Sequence, residues 1–475
     1  MNRSFVAELR SLLDPAGYLD GQDAASYLED PRHAYVWADA AVVRPNTVAQ
    51  VAAVVDTCAR HGVKVVPQGG NTGLSGGTVV GPDHESIVLS TSRLDRIESI
   101  DPDGATMTVQ AGVTIEAIQT AAAEHGLQFA PDWGARGTAT IGGGISTNAG
   151  GNNVVRYGPM RSHVLGLEVV LADGTVWDGL RSLRKDVSGY DVKQLFIGAE
   201  GTLGVVTRAV LSLVPATPHT QSAFAAIDGL GRLRELTQLV RRLTGSELTA
   251  YELVPDIGVE LVCKHYSVAR PIATRAEYYV LLKLASTRPV QEDLLTVLDR
   301  AATQGLILDA VVAESAAHND ALWFIRDELP PERYYAHQKH AIKLDTVVPV
   351  DKIGEFIQLV QEVTDELTPG AVCYGFGHVG DGNIHMRVLP VADSAVDHFV
   401  ANRSLLRRRI DEATWSLRGS LSAEHGIGIE LIDRIGPQKP DIEWELMRAI
   451  KRALDPNDLM NPGKVVPMTG VPPHQ

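Results

Sequence analysis

The chain has 475 residues, with 58 Asp and Glu against 43 Lys and Arg, for a formal net charge of -15. That length exceeds what one hydrophobic core fills, so two or more domains are expected, each with a sizeable interior. The acidic balance excludes nucleic-acid binding by general phosphate neutralisation, and three widely separated cysteines, Cys58, Cys263 and Cys373, exclude a disulfide framework, a Cys-ligated zinc and an internal iron–sulfur relay.

The opening stretch MNRSFVAELRSLLDPAG carries charges at helical spacing and no signal-peptide core. A helix over residues 4–13 is expected to pack on the body, and residues 1–37 read as an N-terminal helical segment. No apolar run reaches the roughly 20 residues of a membrane helix. A reducing, cytoplasmic location is expected.

Residues 47–60, TVAQVAAVVDTCAR, set Val48, Val51, Ala52 and Val55 on one face, which predicts a helix capped by Asn46 or Thr47. The strand KVVPQ follows and opens into GGNTGLSGG, residues 69–77. Five glycines in nine residues let several backbone N–H groups approach a phosphate closely. The spacing matches neither the Rossmann nor the Walker pattern. Residues 131–158, PDWGARGTATIGGGISTNAGGNNVVRYG, read as an ordered loop, anchored by Ile141, Ile145 and Val154, that wraps a flat or extended ligand. LEVVLADGTVW has the Asp-Gly turn of a hairpin, and LFIGAEGTLGVVTRAVLSLVP, residues 195–215, is a third glycine-rich element.

From residue 218 the glycine loops stop. Helical stretches at 231–244 and 351–366 alternate with the strands EYYVLLKL and IKLDTVVPV, which predicts an α+β region on an antiparallel sheet over 218–430, followed by a C-terminal segment at 431–475. Within it, His378 and His385 flank the turn of GHVGDGNIH, where Gly377, Gly380 and Gly382 supply the reversal. Alternation from Ile384 to Leu389 places His385, Arg387 and Leu389 on one face of a strand. By themselves these histidines are either one wall of a metal site or parts of a hairpin that satisfy backbone groups. SAEHGIG, residues 422–428, sets Glu424 and His425 side by side and pointing in different directions.

PQGGNTGLSGG, IGGGISTNAGG and GAEGTLGVVT resemble, in order, the FAD-binding domain of the vanillyl-alcohol oxidase and p-cresol methylhydroxylase superfamily. The resemblance implies an α+β fold with a two-part FAD-binding domain of that type. Residues 38–217 would form its body, 431–475 would return to it, and an α+β antiparallel-sheet cap at 218–430 would carry a metal site. It implies that Pro67, Gln68, Gly69, Gly70, Asn71, Thr72, Gly73 and Leu74 hold the FAD pyrophosphate. Pro131, Gly137, Thr138, Gly142, Ser146 and Asn148 would lie along the flavin and its ribityl chain, with Asp132, Ile141, Gly150 and Gly151 also against the cofactor. Glu200, Gly201 and Val206 would contact the nucleotide end, and Asn461 would approach the flavin. Members that attach FAD covalently through this loop carry a histidine where Asn71 falls, so non-covalent FAD is expected.

GHVGDGNIH together with SAEHGIG resembles the FAD-linked D-2-hydroxy-acid dehydrogenases of that superfamily. This implies His378, His385 and Glu424 as ligands of a divalent metal, zinc first, with manganese or iron as alternatives. It implies His425 as the catalytic base and Arg326, Lys343, Asn383 and Arg387 at the substrate. Arg387 stands where the hydroxyglutarate enzymes usually have asparagine, and Pro330 and Pro331 stand where a small hydroxyl residue is common. The expected activity is oxidation of a D-2-hydroxy acid to the 2-oxo acid by hydride transfer to flavin N5. D-2-hydroxyglutarate is the favoured substrate, with D-lactate or another D-2-hydroxy acid second. An oxygen-using FAD alcohol oxidase of the same fold and a non-enzymatic flavin subunit are the competing readings. An external electron acceptor, such as an electron-transfer flavoprotein or a quinone, is expected, and a homodimer is compatible with the sequence.

Overall fold

The computed structural model describes residues 2–31, 35, 40–81, 84–329, 331–436 and 439–468; Pro330 and part of the N-terminal segment, 32–34 and 36–37, lie outside the described residues. The chain divides into two compact units. One is Met1–Gly151, Gly158–Ala216 and Glu424–Gln475, and the other is Asn152–Tyr157 and Thr217–Ala423. Among the described residues no helix is long and apolar enough to cross a membrane.

The first unit holds two main sheets. Ala41–Val43, Ser86–Ser90 and Lys64–Gln68 run parallel, with Tyr18–Leu19 added antiparallel beside Ala41–Val43. Parallel neighbours require a crossover, and the helix Val48–His61 supplies it, capped by the Thr47 hydroxyl on Gln50 N and closed by Gly62 at φ 70°. Its Val51, Val54 and Val55 pack with Phe5 and Leu9 of the helix Arg3–Leu12 on Val65, Ile87 and Leu89. The second sheet is antiparallel, in the order Ile97–Asp101, Thr106–Gln110, Val205–Ser212, Val164–Val170, Val176–Gly179. The Asp-Gly hairpin forms as its turn predicts, with Leu171 N donating to Thr175 O.

One expectation is corrected here. IGGGIST is not loop but the helix Ile141–Thr147. Thr140 caps its start by accepting from Gly143 N, Asn148 ends it at φ 51°, and Ile141 and Ile145, one turn apart, anchor it in the core. A Cβ at Gly142 would lie 2.7 Å from Ala111 Cβ, so the glycine permits an approach to the neighbouring strand that outweighs its poor helix propensity.

The second unit is built on an eight-stranded sheet. Its order is Ile307–Val312, His219–Ile227, Tyr278–Ser286, Leu248–Pro255, Ala371–His378, Asn383–Pro390, Ile342–Lys343, with Thr346–Val347 also paired to Asn383–Pro390. The run IKLDTVVPV forms two short strands that pair with Asn383–Pro390 in one continuous register, with Leu344 N donating to Met386 O between them. One face is covered by the helices Leu233–Thr244, Gln291–Thr303, Ile353–Leu367 and Val396–Ser416, which bury Val280, Leu282, Ile384, Met386 and Val388. The other face carries Phe224, Tyr279, Leu281 and Phe376 under the helices Asp256–Tyr266 and Ala316–Asp327. This two-faced burial is what the alternation of His385, Arg387 and Leu389 with Ile384, Met386 and Val388 predicts.

The C-terminal piece of the first unit is tied in by a buried cation. Lys451 Nζ donates to Thr202 O at 2.8 Å, Met460 O at 2.8 Å and Asp455 Oδ2 at 2.6 Å, while Asp455 also accepts from Leu459 N and Met460 N. Removing one partner of a buried pair leaves the other uncompensated, at a cost of about 3–5 kcal/mol. Lys451→Ala should lower stability by that order, read as an earlier transition in thermal unfolding. A midpoint equal to wild type would show the cluster to be energetically neutral.

Candidate active site

In the first unit the three glycine-rich segments enclose a cavity of about 340 Å³. Of the residues expected at the cofactor, Pro67, Gln68, Gly69, Gly70, Asn71, Thr72, Gly73, Leu74, Gly142, Ser146, Gly150, Glu200, Gly201 and Val206 line it. Thr91, Trp133 and Thr140, which the sequence reading did not single out, line it as well, with Ser75 of the pyrophosphate loop. A small hydroxyl residue between glycines was the available signal for Thr140. The remaining expected residues are not among those that line it. Ile141 is core, and Asp132 pairs with Arg136 at 3.0 Å. Asn148 Oδ1 accepts from Arg161 N, and Pro131 O accepts from Gln119 Nε2. Gly137 and Thr138 lie in the turn before Thr140, with Thr138 N donating to Ala135 O.

No heavy atom lies within 4 Å of where a Cβ would sit at Gly73 or Gly134, so glycine keeps these wall positions open. Backbone N–H groups, hydroxyls and the Trp133 ring around such a space fit an extended dinucleotide with a flat ring system. The Asn71 side chain is committed to the fold: Nδ2 donates to Glu29 O at 2.8 Å, and Oδ1 accepts from the Thr78 hydroxyl at 3.0 Å.

Glu424 and His425 line the same cavity. Glu424 Oε2 accepts from Gly151 N at 2.8 Å, and its Oε1 stands 3.7 Å from His425 Nε2. Their loop is held from outside the motif. Glu200 Oε1 accepts from Ile427 N at 2.7 Å and Oε2 from Gly428 N at 2.9 Å, while the Ser75 hydroxyl lies 3.1 and 3.0 Å from the carbonyls of His425 and Gly426. Burial pushes the Glu200 carboxyl above the usual carboxylate range, against the pull of these two N–H groups and of the Lys464 ammonium. Asn461 Nδ2 donates to Glu200 O and to Gly77 O, closing the cluster. Asn71 and Glu200, which line the cavity, have positive φ, at 51° and 49°.

In the second unit, His378 pairs with Asn383 and Phe376 with His385 across the hairpin, and Tyr374 pairs with Arg387. The two imidazole rings therefore meet at 5.6 Å between centroids. Gly377 and Gly382, at φ 134° and 91°, are required in this tight reversal; a Cβ at Gly382 would lie 2.1 Å from Val348 O. His385 Nδ1 is 3.5 Å from Asp345 Oδ1. Asn383 Nδ2 holds Asp345 at 2.9 Å and Thr346 O at 3.2 Å, so the amide expected at substrate is engaged in positioning Asp345. Asp345 also accepts from the N–H of Ala423, the residue before Glu424.

Arg326 and Arg387 are both buried, and both guanidinium groups lie near the Phe376 ring, at 6.0 and 5.2 Å. Arg387 Nη1 donates to Met386 O at 3.0 Å and Leu344 O at 3.3 Å. Lys343 pairs with Arg387 in register and is exposed. Between Arg326 and His378 sits an acid that the sequence reading passed over. Glu252 is fully buried, with Oε1 2.7 Å from His378 Nδ1 and Oε2 2.7 Å from Arg326 Nε. Burial opposes its ionisation, but its contacts with His378 and Arg326 prevail and hold the carboxyl below the usual carboxylate range. Two imidazoles with adjacent carboxylates are a donor set that suits zinc, manganese or iron(II).

Comparison with known proteins agrees with these two halves. The family described as FAD binding domain matches residues 39–179, and that described as FAD linked oxidases, C-terminal domain, matches residues 219–465. The mitochondrial D-2-hydroxyglutarate dehydrogenase of Bos taurus is 37% identical over 430 residues, 90% of this chain and 76% of that protein. The D-2-hydroxyglutarate dehydrogenase of Xanthomonas citri pv. viticola is also 37% identical, over 90% of this chain and 89% of its own. That of Stutzerimonas stutzeri is 32% identical over 97% and 98%. Among solved structures, p-cresol methylhydroxylase with substrate bound superposes with a TM-score of 0.77 at 16% identity, covering 97% of this chain and 96% of that one. The 4-ethylphenol oxidase from Gulosibacter chungangensis gives 0.73 at 18%, covering 98% and 96%. These likenesses show the fold, an α+β architecture of the p-cresol methylhydroxylase type.

The Glu200 clamp yields a direct expectation. In Glu200→Gln one of the two loop N–H groups faces an amide donor in place of an acceptor. Loss of a charge-assisted hydrogen bond costs about 1.5–3 kcal/mol, so amide exchange at Ile427 or Gly428 should accelerate by about 10- to 150-fold. Unchanged protection, read by hydrogen-exchange mass spectrometry, would mean the loop is held by other contacts.

Proposed function

The chain belongs to the FAD-linked oxidase family that includes the D-2-hydroxyglutarate dehydrogenases, and on that footing we propose that it oxidises a D-2-hydroxy acid, D-2-hydroxyglutarate first, to the 2-oxo acid with a divalent metal at the substrate. The observation that carries the reading is His425 on the wall of the cavity formed by the glycine-rich loops. A base beside a dinucleotide site is what alcohol oxidation needs, and a structural histidine would have no reason to stand there.

Oxidation of the carbinol removes a hydride from C2 and a proton from its hydroxyl. FAD held by the glycine-rich loops would supply the hydride acceptor, and the electrons would leave to an external acceptor such as an electron-transfer flavoprotein or a quinone. A metal held by His378, His385 and Glu424, with Asp345 as a further donor, would supply Lewis acidity that lowers the hydroxyl's pKa. His425 takes the hydroxyl proton, a role to which imidazole is suited near neutral pH. Glu200 and Ser75 hold the backbone from His425 to Gly428 and so fix its approach. Arg326 and Lys343 bind the carboxylate next to the carbinol, and Arg387 meets the tail of the substrate. Asn71, committed to Glu29 and Thr78, supports FAD held without a covalent link.

D-lactate or another D-2-hydroxy acid is the second reading. It is favoured by the two backbone carbonyls that Arg387 already serves, which draw its cation away from a second substrate carboxylate.

A dye-coupled assay over a panel of D- and L-2-hydroxy acids tests the reading. Turnover should be confined to D-acids, vanish on prolonged chelation with flavin retained, and return with zinc or manganese. Full turnover in demonstrably metal-free protein would remove the metal from the scheme. His425→Ala should keep FAD and metal while lowering kcat by roughly 10² to 10⁴, the range for a lost general base. A variant within about twofold of wild type would assign the proton to another group.

A further inference from the structure

Glu252 lies on the strand Leu248–Pro255, directly across from His378, on a sheet face that carries Phe224, Val254, Tyr279, Leu281 and Phe376 beside His385 and Arg387. An ionised acid in such surroundings is costly, and a buried ion pair is on average no more stabilising than apolar residues of the same volume. Packing alone therefore does not account for it. Its two oxygens are divided between two donors: Oε1 is 2.7 Å from His378 Nδ1, and Oε2 is 2.7 Å from Arg326 Nε. Both donors belong to the proposed chemistry, one as a metal ligand and one as a substrate cation.

We propose that Glu252 is a positioning residue shared by the two, fixing the tautomer of His378 and the plane of the Arg326 guanidinium with a single carboxylate. The proposal rests on the metal reading above. With Nδ1–H donating to Glu252 Oε1, His378 presents its Nε2 lone pair to the metal. The Nε contact stops rotation of the Arg326 side chain about its last bonds, so its planar fork meets the substrate carboxylate in one orientation. Loss of Glu252 therefore weakens metal and substrate binding together, although it touches neither.

Glu252→Gln keeps the size but not the acceptor pair, since one amide end must face a donor. The readout is zinc affinity by chelator competition on flavin-loaded protein, with KM and kcat measured separately. Zinc affinity should fall about 10- to 100-fold and KM for the D-2-hydroxy acid should rise by at least severalfold, with flavin content unchanged. Zinc affinity within twofold of wild type would overturn the proposal. Wild-type protein that takes up no stoichiometric zinc would instead overturn the metal reading itself, and this proposal with it. If the variant does not fold, side-chain NMR of wild-type, zinc-loaded protein with ¹⁵N-labelled histidine decides: a proton on His378 Nδ1 is expected, and one on Nε2 refutes the assignment.

Discussion

The first unit depends on one carboxylate bridging segments far apart in the chain. Glu200 reaches the backbone of Ile427 and Gly428, more than two hundred residues later, while its own carbonyl accepts from Asn461. To do so it adopts φ 49°, a left-handed conformation that costs a non-glycine residue about 1–2 kcal/mol. Two charge-assisted hydrogen bonds at about 1.5–3 kcal/mol each exceed that. The strain persists because the bonds it permits are worth more. Gly428 fits the same logic from the other side, since a Cβ there would lie 1.9 Å from Ser75 O. The loop carrying His425 is thus seated on the glycine-rich wall by contacts that tolerate little displacement.

The second unit uses a different device. Its sheet is apolar on the face covered by four helices and mixed on the other, where aromatic rings give way to His378, His385, Arg326, Arg387 and Glu252. An antiparallel hairpin brings alternate residues of both strands onto one face without any special sequence beyond glycines at the turn. Placing the imidazoles opposite Phe376 and Asn383 is therefore a consequence of register. A one-residue slip would exchange His385 for Ile384 or Met386 and bury the wrong set.

The sequence made the hairpin, the Asp-Gly turn, the helix Val48–His61 and the glycine-rich cavity walls legible, because each rests on local rules of alternation, capping and left-handed backbone. The helix Ile141–Thr147 was not legible. Three glycines argue against a helix, and only the close packing of Gly142 on Ala111 and of Gly144 on Met160 and Trp133 shows why two of them are needed. Glu252 and Asp345 were invisible for another reason. In TAYELV and IKLDTV each is an acid at a strand position that could face water, and no local pattern says that its partner lies 126 residues away at His378 or 38 away at Asn383. Long-range pairing of this kind leaves no periodicity to read.

The three-piece construction of the first unit also has a consequence during synthesis. Lys64–Gln68 is the outer strand of its sheet, and Val65 finds its last partners in Leu459 O and Asn461 N. Elongation at roughly 5–20 residues per second leaves that strand edge bare for about 20–80 s before its covering segment is made. An uncovered edge recruits other strands. The emerging polypeptide therefore carries an open strand edge until the segment around Leu459–Asn461 has been made.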